Sequence, residues 1–515
     1  MSLRRLTDLM PGYAGAEDPV ITGLTADSRA VRPGYLFAAL PGTKADGREY
    51  IANAVKNGAA AILFSPSCEA GGGVRGGGQP FAPNSGVEAV PPPLAPPPAG
   101  GRGGSPVFIE SGEPRRDLAR LAAAFYPRQP ETVVAVTGTN GKTSTADFTR
   151  QLWAHCGLRA ASLGTLGIRG EGVEKPGSMT TPDTVALHAE LESLAGAGVT
   201  HLAMEASSHG IDQHRLDGVC VSAAGFTNLT LDHLDYHGTM DAYRAAKLRL
   251  FSEVLVADGV AVLNADSPEF GACRAAAAGR TVVDYGRMAQ WLKLERLTVS
   301  ATGQRMDLSV NGRQHSVDLP LASEFMAMNA LCALGLAASA HLNDRDFIHI
   351  LIDGLARLKG APGRLQRVGG PDAPAVYVDY AHTPDALEQV LKALRFHAEG
   401  RLITIIGCGG DRDRTKRPVM GRIASALADI AIVTDDNPRS EDPAAIRAAV
   451  LQGANGQALE IGDRHEAIAR GVAMLEKGDV LVICGKGHEQ GQTIQGQTLP
   501  FDDVKEAEKA MGMRR

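Results

Sequence analysis

The chain has no CxxC pair, no long apolar run and no excess of positive charge. Its seven cysteines are scattered at 68, 156, 220, 273, 332, 408 and 484. That scatter excludes a structural zinc framework built on paired ligands and suits reduced thiols in a cytoplasm. No stretch reaches the ~18 apolar residues of a membrane helix, so no membrane span is expected. The opening residues, MSLRRLTDLMPGYAG, carry two arginines but lack the apolar segment of a signal peptide. A net charge of −6 argues against nonspecific nucleic-acid binding. What is present is a globular composition, 44% hydrophobic over 515 residues. That length predicts about three domains.

One segment departs from that composition. Between Gly71 and Gly104, 19 of 34 residues are Gly or Pro, too few apolar groups to offset the entropy of ordering. It reads as a disordered insertion in a surface loop. Strand-like AAILF precedes it and VFIE follows it. One small domain, 1–127, therefore continues across the insertion. A second region, 128–357, opens with ETVVAVTGTNGKTSTADFTRQLWAHCG. A third, 358–515, alternates strands (VYVDYA, RLITIIGC, IAIVTDD, DVLVICGKG) with helical stretches such as TPDALEQVLKALRFHA. That alternation predicts a parallel, doubly wound sheet, and the whole chain reads as α/β. Ligands of such sheets sit beyond the carboxyl ends of the strands, where GCGGDRD, DDNPR and GKGHE all fall.

TGTNGKTS, Thr137–Ser144, lies between the buried strand VVAV and a helical stretch. Backbone N–H groups of Gly138, Thr139, Asn140 and Gly141 in such a loop can cradle phosphates, helped by the helix N-terminus. Lys142 would reach the β- and γ-phosphates, and the Thr143 hydroxyl, next to Ser144, would bind Mg²⁺. The usual pattern has a glycine five residues before the Gly-Lys pair; here that position is Val136, so the loop is a compact variant. Further on, HLAM reads as a strand ending at Glu205, where a second metal-linked acid often lies in phosphate-loop enzymes. His233 and His237 are four apart and would share a helix face. Zinc is the rival reading, against which stand the lack of HExxH and the break at Gly238. Lys247, in YRAAKLRLF, reads from spacing alone as a surface lysine.

GTNGKT, MEASSHG, TNLTLDHLDYHG, YRAAK, GRLQ, DYAHTPDAL, GCGGDRD, TDDNPR and GKGHE occur in this order, and together they resemble the Mur ligases of peptidoglycan synthesis. The resemblance covers nearly the whole chain outside the Gly/Pro insertion. It implies three domains: an N-terminal one for a uridine nucleotide, a central phosphate-loop ATPase with a mostly parallel sheet, and a C-terminal Rossmann-like one for an amino acid. It also implies the reaction. ATP phosphorylates the D-Glu side-chain carboxylate of UDP-N-acetylmuramoyl-L-alanyl-D-glutamate, and an amine of meso-diaminopimelate displaces phosphate from the acyl phosphate.

By the same resemblance Lys142, Glu205, His233 and Lys247 are catalytic. Thr143 and Glu205 hold one Mg²⁺; Glu205, His233 and a carbamylated Lys247 hold a second. Asn329 lies at the adenine, with Met326 where the family often has a further asparagine. Arg364 and Asp379 close over ATP, with His382 nearby. Ser28, Thr43, Lys44 and Ala45 match the uridine-diphosphate site. Thr180, Thr181, Ser207, Gln213 and Arg215 match contacts to the muramoyl dipeptide. Arg412, Asp436, Asn437, Pro438, Arg439, Gly485 and Glu489 match the diaminopimelate site. A cytoplasmic monomer is expected.

Arg439 carries the choice of amino acid. Pro438 fixes its own φ and biases Asn437 away from helix, which aims the following side chain outward from the strand end. A guanidinium can grip the distal carboxylate of diaminopimelate through two charge-assisted bonds; lysine has no such carboxylate. A strand-end salt bridge is the plainer alternative. The rival functions are a folylpolyglutamate synthetase, a lysine-adding relative, a phosphate-loop switch and a scaffold using the insertion. DDNPR and the uridine-side residues speak against the first, Arg439 against the second, and Glu205, His233 and Lys247 against the third.

Overall fold

Strands Gly23–Thr25, Tyr35–Ala39, Ala61–Phe64 and Val107–Glu110 pair in that order, all parallel. The computed structural model describes residues 4–42, 46–66, 105–177, 179–300, 303–369, 373–454 and 456–512. The Gly71–Gly104 insertion and Thr43, Lys44 and Ala45 lie outside the described residues. The strands on either side of the insertion are direct neighbours, with Ala61 opposite Val107 and Phe64 opposite Glu110. Alternation along the strands divides their side chains between two faces. Leu36, Ala38, Leu63 and Ile109 pack with Leu118, Leu121 and Phe125 of helix Pro114–Phe125; Phe37, Ala39, Ile62 and Phe64 form a second cluster with Ala54. Pro114 opens that helix at a position where its missing N–H costs nothing.

Contacts divide the chain into two units over their described residues: Met1–Asn140, Leu163–Ala261 and Gly271–Val282, and Gly141–Ser162, Val262–Phe270 and Val283–Arg515. The first also contains strand Thr132–Thr137, flanked by His201–Glu205 and Val221–Phe226, both parallel to it. Val133, Val134, Ala135 and Val136 are all buried, as a strand covered on both faces requires.

In the second unit, helix Lys142–His155 packs against Glu324–Ala338 and Arg345–Leu355. The Trp153 indole N–H donates to the Ala337 carbonyl at 3.2 Å. Helix Glu324–Ala338 is buried almost all round, which fits its run of Ala, Leu, Met and Cys. Leu292–Ser300, Gly303–Val310 and Arg313–Leu319 form an antiparallel meander. The C-terminal sheet runs Gln366–Val368, Ala375–Asp379, Val480–Cys484, Leu402–Ile406, Ile430–Val433, Ala458–Glu460. All its pairs are parallel except the first, an antiparallel edge that the alternation of strands and helices does not predict. Among the described residues no helix is long and apolar enough to cross a membrane.

Candidate active site

The phosphate loop follows strand Thr132–Thr137 and leads into helix Lys142–His155. Gly138 has φ 149° and Gly141 φ 89°, conformations that favour glycine. A Cβ at Gly138 would lie 1.9 Å from Thr227 Oγ1, and one at Gly141 2.3 Å from Asn329 Oδ1. The segment Thr227–Thr230 laces the first half of the loop. The Thr227 hydroxyl donates to Asn140 O at 2.6 Å, Asn228 Oδ1 accepts the Asn140 N–H at 2.9 Å, and Thr139 Oγ1 accepts the Thr230 N–H at 2.9 Å. Lys142 is half-buried, and Thr143 and Ser144 are buried in the first helical turn. The first N–H groups of a helix lack intrahelical partners, so this turn offers donors to an anion.

Glu205 ends its strand fully buried and accepts the Thr165 N–H at 2.8 Å. Thr165 Oγ1 contacts Thr180 Oγ1 at 2.9 Å, and the Thr181 hydroxyl donates to Glu205 O at 2.9 Å. Ser207 N–H donates back to Thr181 Oγ1 at 3.0 Å. Arg215 donates to Thr181 O at 2.7 Å and to Gln213 Oε1 at 2.8 Å. Thr180, Thr181, Ser207, Gln213 and Arg215 are thus drawn into one network with Glu205. Ser28 lies after strand Gly23–Thr25, buried, with Asn57 Nδ2 on its carbonyl at 3.0 Å.

Lys247 is not a surface lysine. It is 1% exposed, donates to Gly138 O at 2.8 Å and sits 4.4 Å above the Tyr243 ring. Tyr243 is buried, its OH is 3.2 Å from Thr139 Oγ1, and burial pushes its phenol up to about 12. Tyr243 joins Lys247 to the loop, a role that YRAAK spacing alone did not reveal. His233 and His237 do not share a helix face. His233 caps helix Leu234–His237 in the left-handed region, φ 52°, so its ring leaves the helical register. The two rings instead approach His209, at centroid distances of 5.0 and 5.5 Å. Burial lowers His209 to about 4.

Hydroxyl and carboxylate oxygens at Thr143 and Glu205 match the hard donors Mg²⁺ takes, and the two glycines let Thr227 and Asn329 pack directly on the loop backbone. Lys247 as an ammonium offers only donors; a carbamate there would supply the oxygens that Mg²⁺ takes.

Asn329 sits in helix Glu324–Ala338 and Arg364 just before strand Gln366–Val368; Asp379 ends strand Ala375–Asp379, and the loops after it and after strands Leu402–Ile406, Ile430–Val433 and Val480–Cys484 carry the other candidates. Asp379 accepts the Leu365 and Ala381 N–H groups at 2.7 and 2.8 Å. Burial raises its pKa against the pull of Arg364, whose guanidinium lies 4.7 Å from the Tyr380 ring centre. His382 contacts Tyr380 O at 2.9 Å, and burial lowers its pKa. Asp436 and Asn437 are buried, and Asn437 Nδ2 donates to Glu489 Oε2 at 2.8 Å. Lys486, unassigned by the motif reading although it stands in GKGHE, is fully buried among them. A Cβ at Gly485 would lie 2.8 Å from Asp436 Oδ2.

Arg439 is half-buried with φ 53°. Its N–H donates to Thr493 O at 2.9 Å, and its guanidinium donates to Gly410 O at 2.8 Å. Pro438 O would lie 1.9 Å from a Cβ on Gly410, so the two loops close on each other. Glu441 braces this corner: it takes Arg417 at 2.9 Å and the Asp411 N–H at 2.6 Å, and the Arg417 bond holds its carboxyl down at about 2. Arg412 is exposed in the same loop.

Three family models match the chain: the Mur ligase family, catalytic domain over 20–74, the Mur ligase middle domain over 136–337, and the Mur ligase, glutamate ligase domain over 363–487. A protein of Caulobacter vibrioides named UDP-N-acetylmuramoyl-L-alanyl-D-glutamate--2,6-diaminopimelate ligase is 51% identical, covering 99% of each chain. One of the same name from Rhizobium meliloti is 49% identical over 96% of this chain and 94% of its own. A solved structure of an enzyme of that name superposes with a TM-score of 0.70 at 33% identity, covering 100% of this chain and 99% of its own. The chain belongs to the Mur ligase family.

Proposed function

We propose that this ligase joins meso-2,6-diaminopimelate to UDP-N-acetylmuramoyl-L-alanyl-D-glutamate, converting ATP to ADP and phosphate. The observation that carries the reading is the corner at Asp436–Arg439. There the Arg439 guanidinium lies against the Gly410 carbonyl, and the Asn437 amide, Asp436 and Glu489 gather around the Lys486 ammonium, at the carboxyl ends of parallel strands. Diaminopimelate has an ammonium and a carboxylate at each end, which such a mixed set of charges complements. The full-length relatives that carry this name support it.

The chemistry follows. An oxygen of the D-Glu side-chain carboxylate attacks the γ-phosphorus, and ADP leaves. The amine of diaminopimelate then attacks the acyl carbon, loses a proton, and the tetrahedral intermediate expels phosphate as the amide forms. Two anions must meet in the first step, so Lys142 and the loop N–H groups of 138–144 offset charge on the phosphates. Bound Mg²⁺ would offset the charge on the phosphate oxygens. Thr143 and Glu205 would hold one ion; Glu205, His233 and Lys247, if carbamylated, would hold the second. Asn329 meets the adenine, and Arg364 and Asp379 the nucleotide.

Ser28 and Thr43–Ala45 take the uridine diphosphate, and the network of Thr180, Thr181, Ser207, Gln213 and Arg215 takes the muramoyl dipeptide. Arg412, Asp436–Arg439, Gly485 and Glu489 take diaminopimelate. The three domains divide at 127/128 and 357/358. The enzyme works as a cytoplasmic monomer, and cell shape and division depend on its product.

The test uses UDP-muramoyl dipeptide with ¹⁸O in the D-Glu side-chain carboxylate. One ¹⁸O should appear in inorganic phosphate, with a product heavier by one diaminopimelyl residue. Phosphate free of label would overturn the acyl-phosphate route, and no product would overturn the substrate assignment.

A further inference from the structure

Lys486 follows Gly485 in the loop after strand Val480–Cys484, and it is 0% exposed. Its ammonium donates to Asn437 Oδ1 at 3.1 Å and lies 3.5 Å from Asp436 Oδ1 and 3.6 Å from Glu489 Oε2. Asp436 Oδ1 is buried with no hydrogen-bond partner. Asn437 Oδ1 also accepts the Thr493 N–H at 2.9 Å. Two donors on that oxygen fix which way the amide faces, and Nδ2 is left on Glu489 Oε2 at 2.8 Å. Burying an ammonium is costly unless charges and hydrogen bonds meet it, and a methionine of similar length would fill the space without that cost. The ammonium is therefore matched to the three side chains it meets.

We propose that Lys486 is a positioning residue for diaminopimelate: without touching the substrate, it holds the Asn437 amide, Asp436 and Glu489 in the orientation that receives it. This rests on the reading that Asp436, Asn437 and Glu489 bind the diamino acid. Lys486 thereby acts on one substrate of three. Its loss weakens diaminopimelate binding and leaves the ATP and UDP-dipeptide sites as they are.

Steady-state kinetics of the full chain test this, with K486M compared to the unsubstituted enzyme for each substrate in turn. The KM for diaminopimelate should rise about tenfold or more, while kcat at saturation and the KM for ATP and for the UDP-dipeptide stay within about twofold. A loosened fold would move all three KM values, whereas an unfolded fraction lowers only apparent kcat, so kcat is referred to the folded fraction. If K486M loses cooperative unfolding, K486Q, which keeps a donor for Asn437 and drops the charge, is read in its place with the same split expected. A diaminopimelate KM within about twofold of the unsubstituted value, or three KM values rising together, overturns the proposal. An unsubstituted enzyme that does not turn over with diaminopimelate overturns the functional reading itself, and this inference with it.

Discussion

The loop Gly138–Ser144 and the turn Asp436–Arg439 each follow a parallel strand, and they differ in what they present. The loop presents backbone. Its glycines exist because Thr227 and Asn329 leave no room for a Cβ, and its donors are N–H groups with one lysine at the helix start. The turn presents side chains, each held from another loop: Asn437 by the Lys486 ammonium and the Thr493 N–H, Arg439 by the Gly410 carbonyl. Backbone donors suit phosphate, whichever molecule carries it. Side chains in a fixed charge pattern suit one amino acid and reject its neighbours.

Four substitutions sharpen that contrast. Lys142→Ala removes the one side-chain cation at the start of the phosphate-loop helix; turnover should fall about 10³-fold or more with every amino acid offered, and phosphate release measures it. Arg464→Met breaks a fully buried pair with Asp503, held at 2.8 Å, and frees the Cys484 carbonyl it bonds at 3.1 Å. Unpairing a buried charge costs about 3 kcal/mol or more, visible in a urea melt. Arg439→Ala should raise the diaminopimelate KM about 100-fold and leave the ATP KM unchanged, because only the side-chain site is touched. Gly141→Ala does the reverse. A strained φ and a clash with Asn329 should raise the ATP KM about tenfold and spare diaminopimelate. If Arg439→Ala and Gly141→Ala moved both KM values alike, the two regions would not be separate binding sites.

The phosphate loop was legible because its chemistry is covalently local: a buried run of Val and Ala, then glycines, lysine and threonine, then a helix. Four strands of the C-terminal sheet were legible for the same reason, each a short apolar run closed by Gly, Asp or Thr; the edge strands Gln366–Val368 and Ala458–Glu460, short and partly polar, were not. What escaped is set by tertiary contacts. Four-residue spacing put His233 on a helix face, yet the residue takes φ 52° and leaves the helix. Lys247 reads as an ordinary surface lysine and Lys486 draws no reading at all, because nothing local says that a Gly138 carbonyl or an Asn437 amide will cover them. Arg439 follows strand Ile430–Val433, but its backbone is fixed by Thr493 and Gln495, more than fifty residues on.

The most direct measurement is phosphate release with ATP, Mg²⁺ and UDP-N-acetylmuramoyl-L-alanyl-D-glutamate, with either meso-diaminopimelate or L-lysine as the amine. The account predicts turnover with diaminopimelate and less than about one-hundredth of that kcat/KM with lysine. Comparable turnover with lysine would contradict it, because the charge pattern around Arg439 would then not be what selects the amino acid.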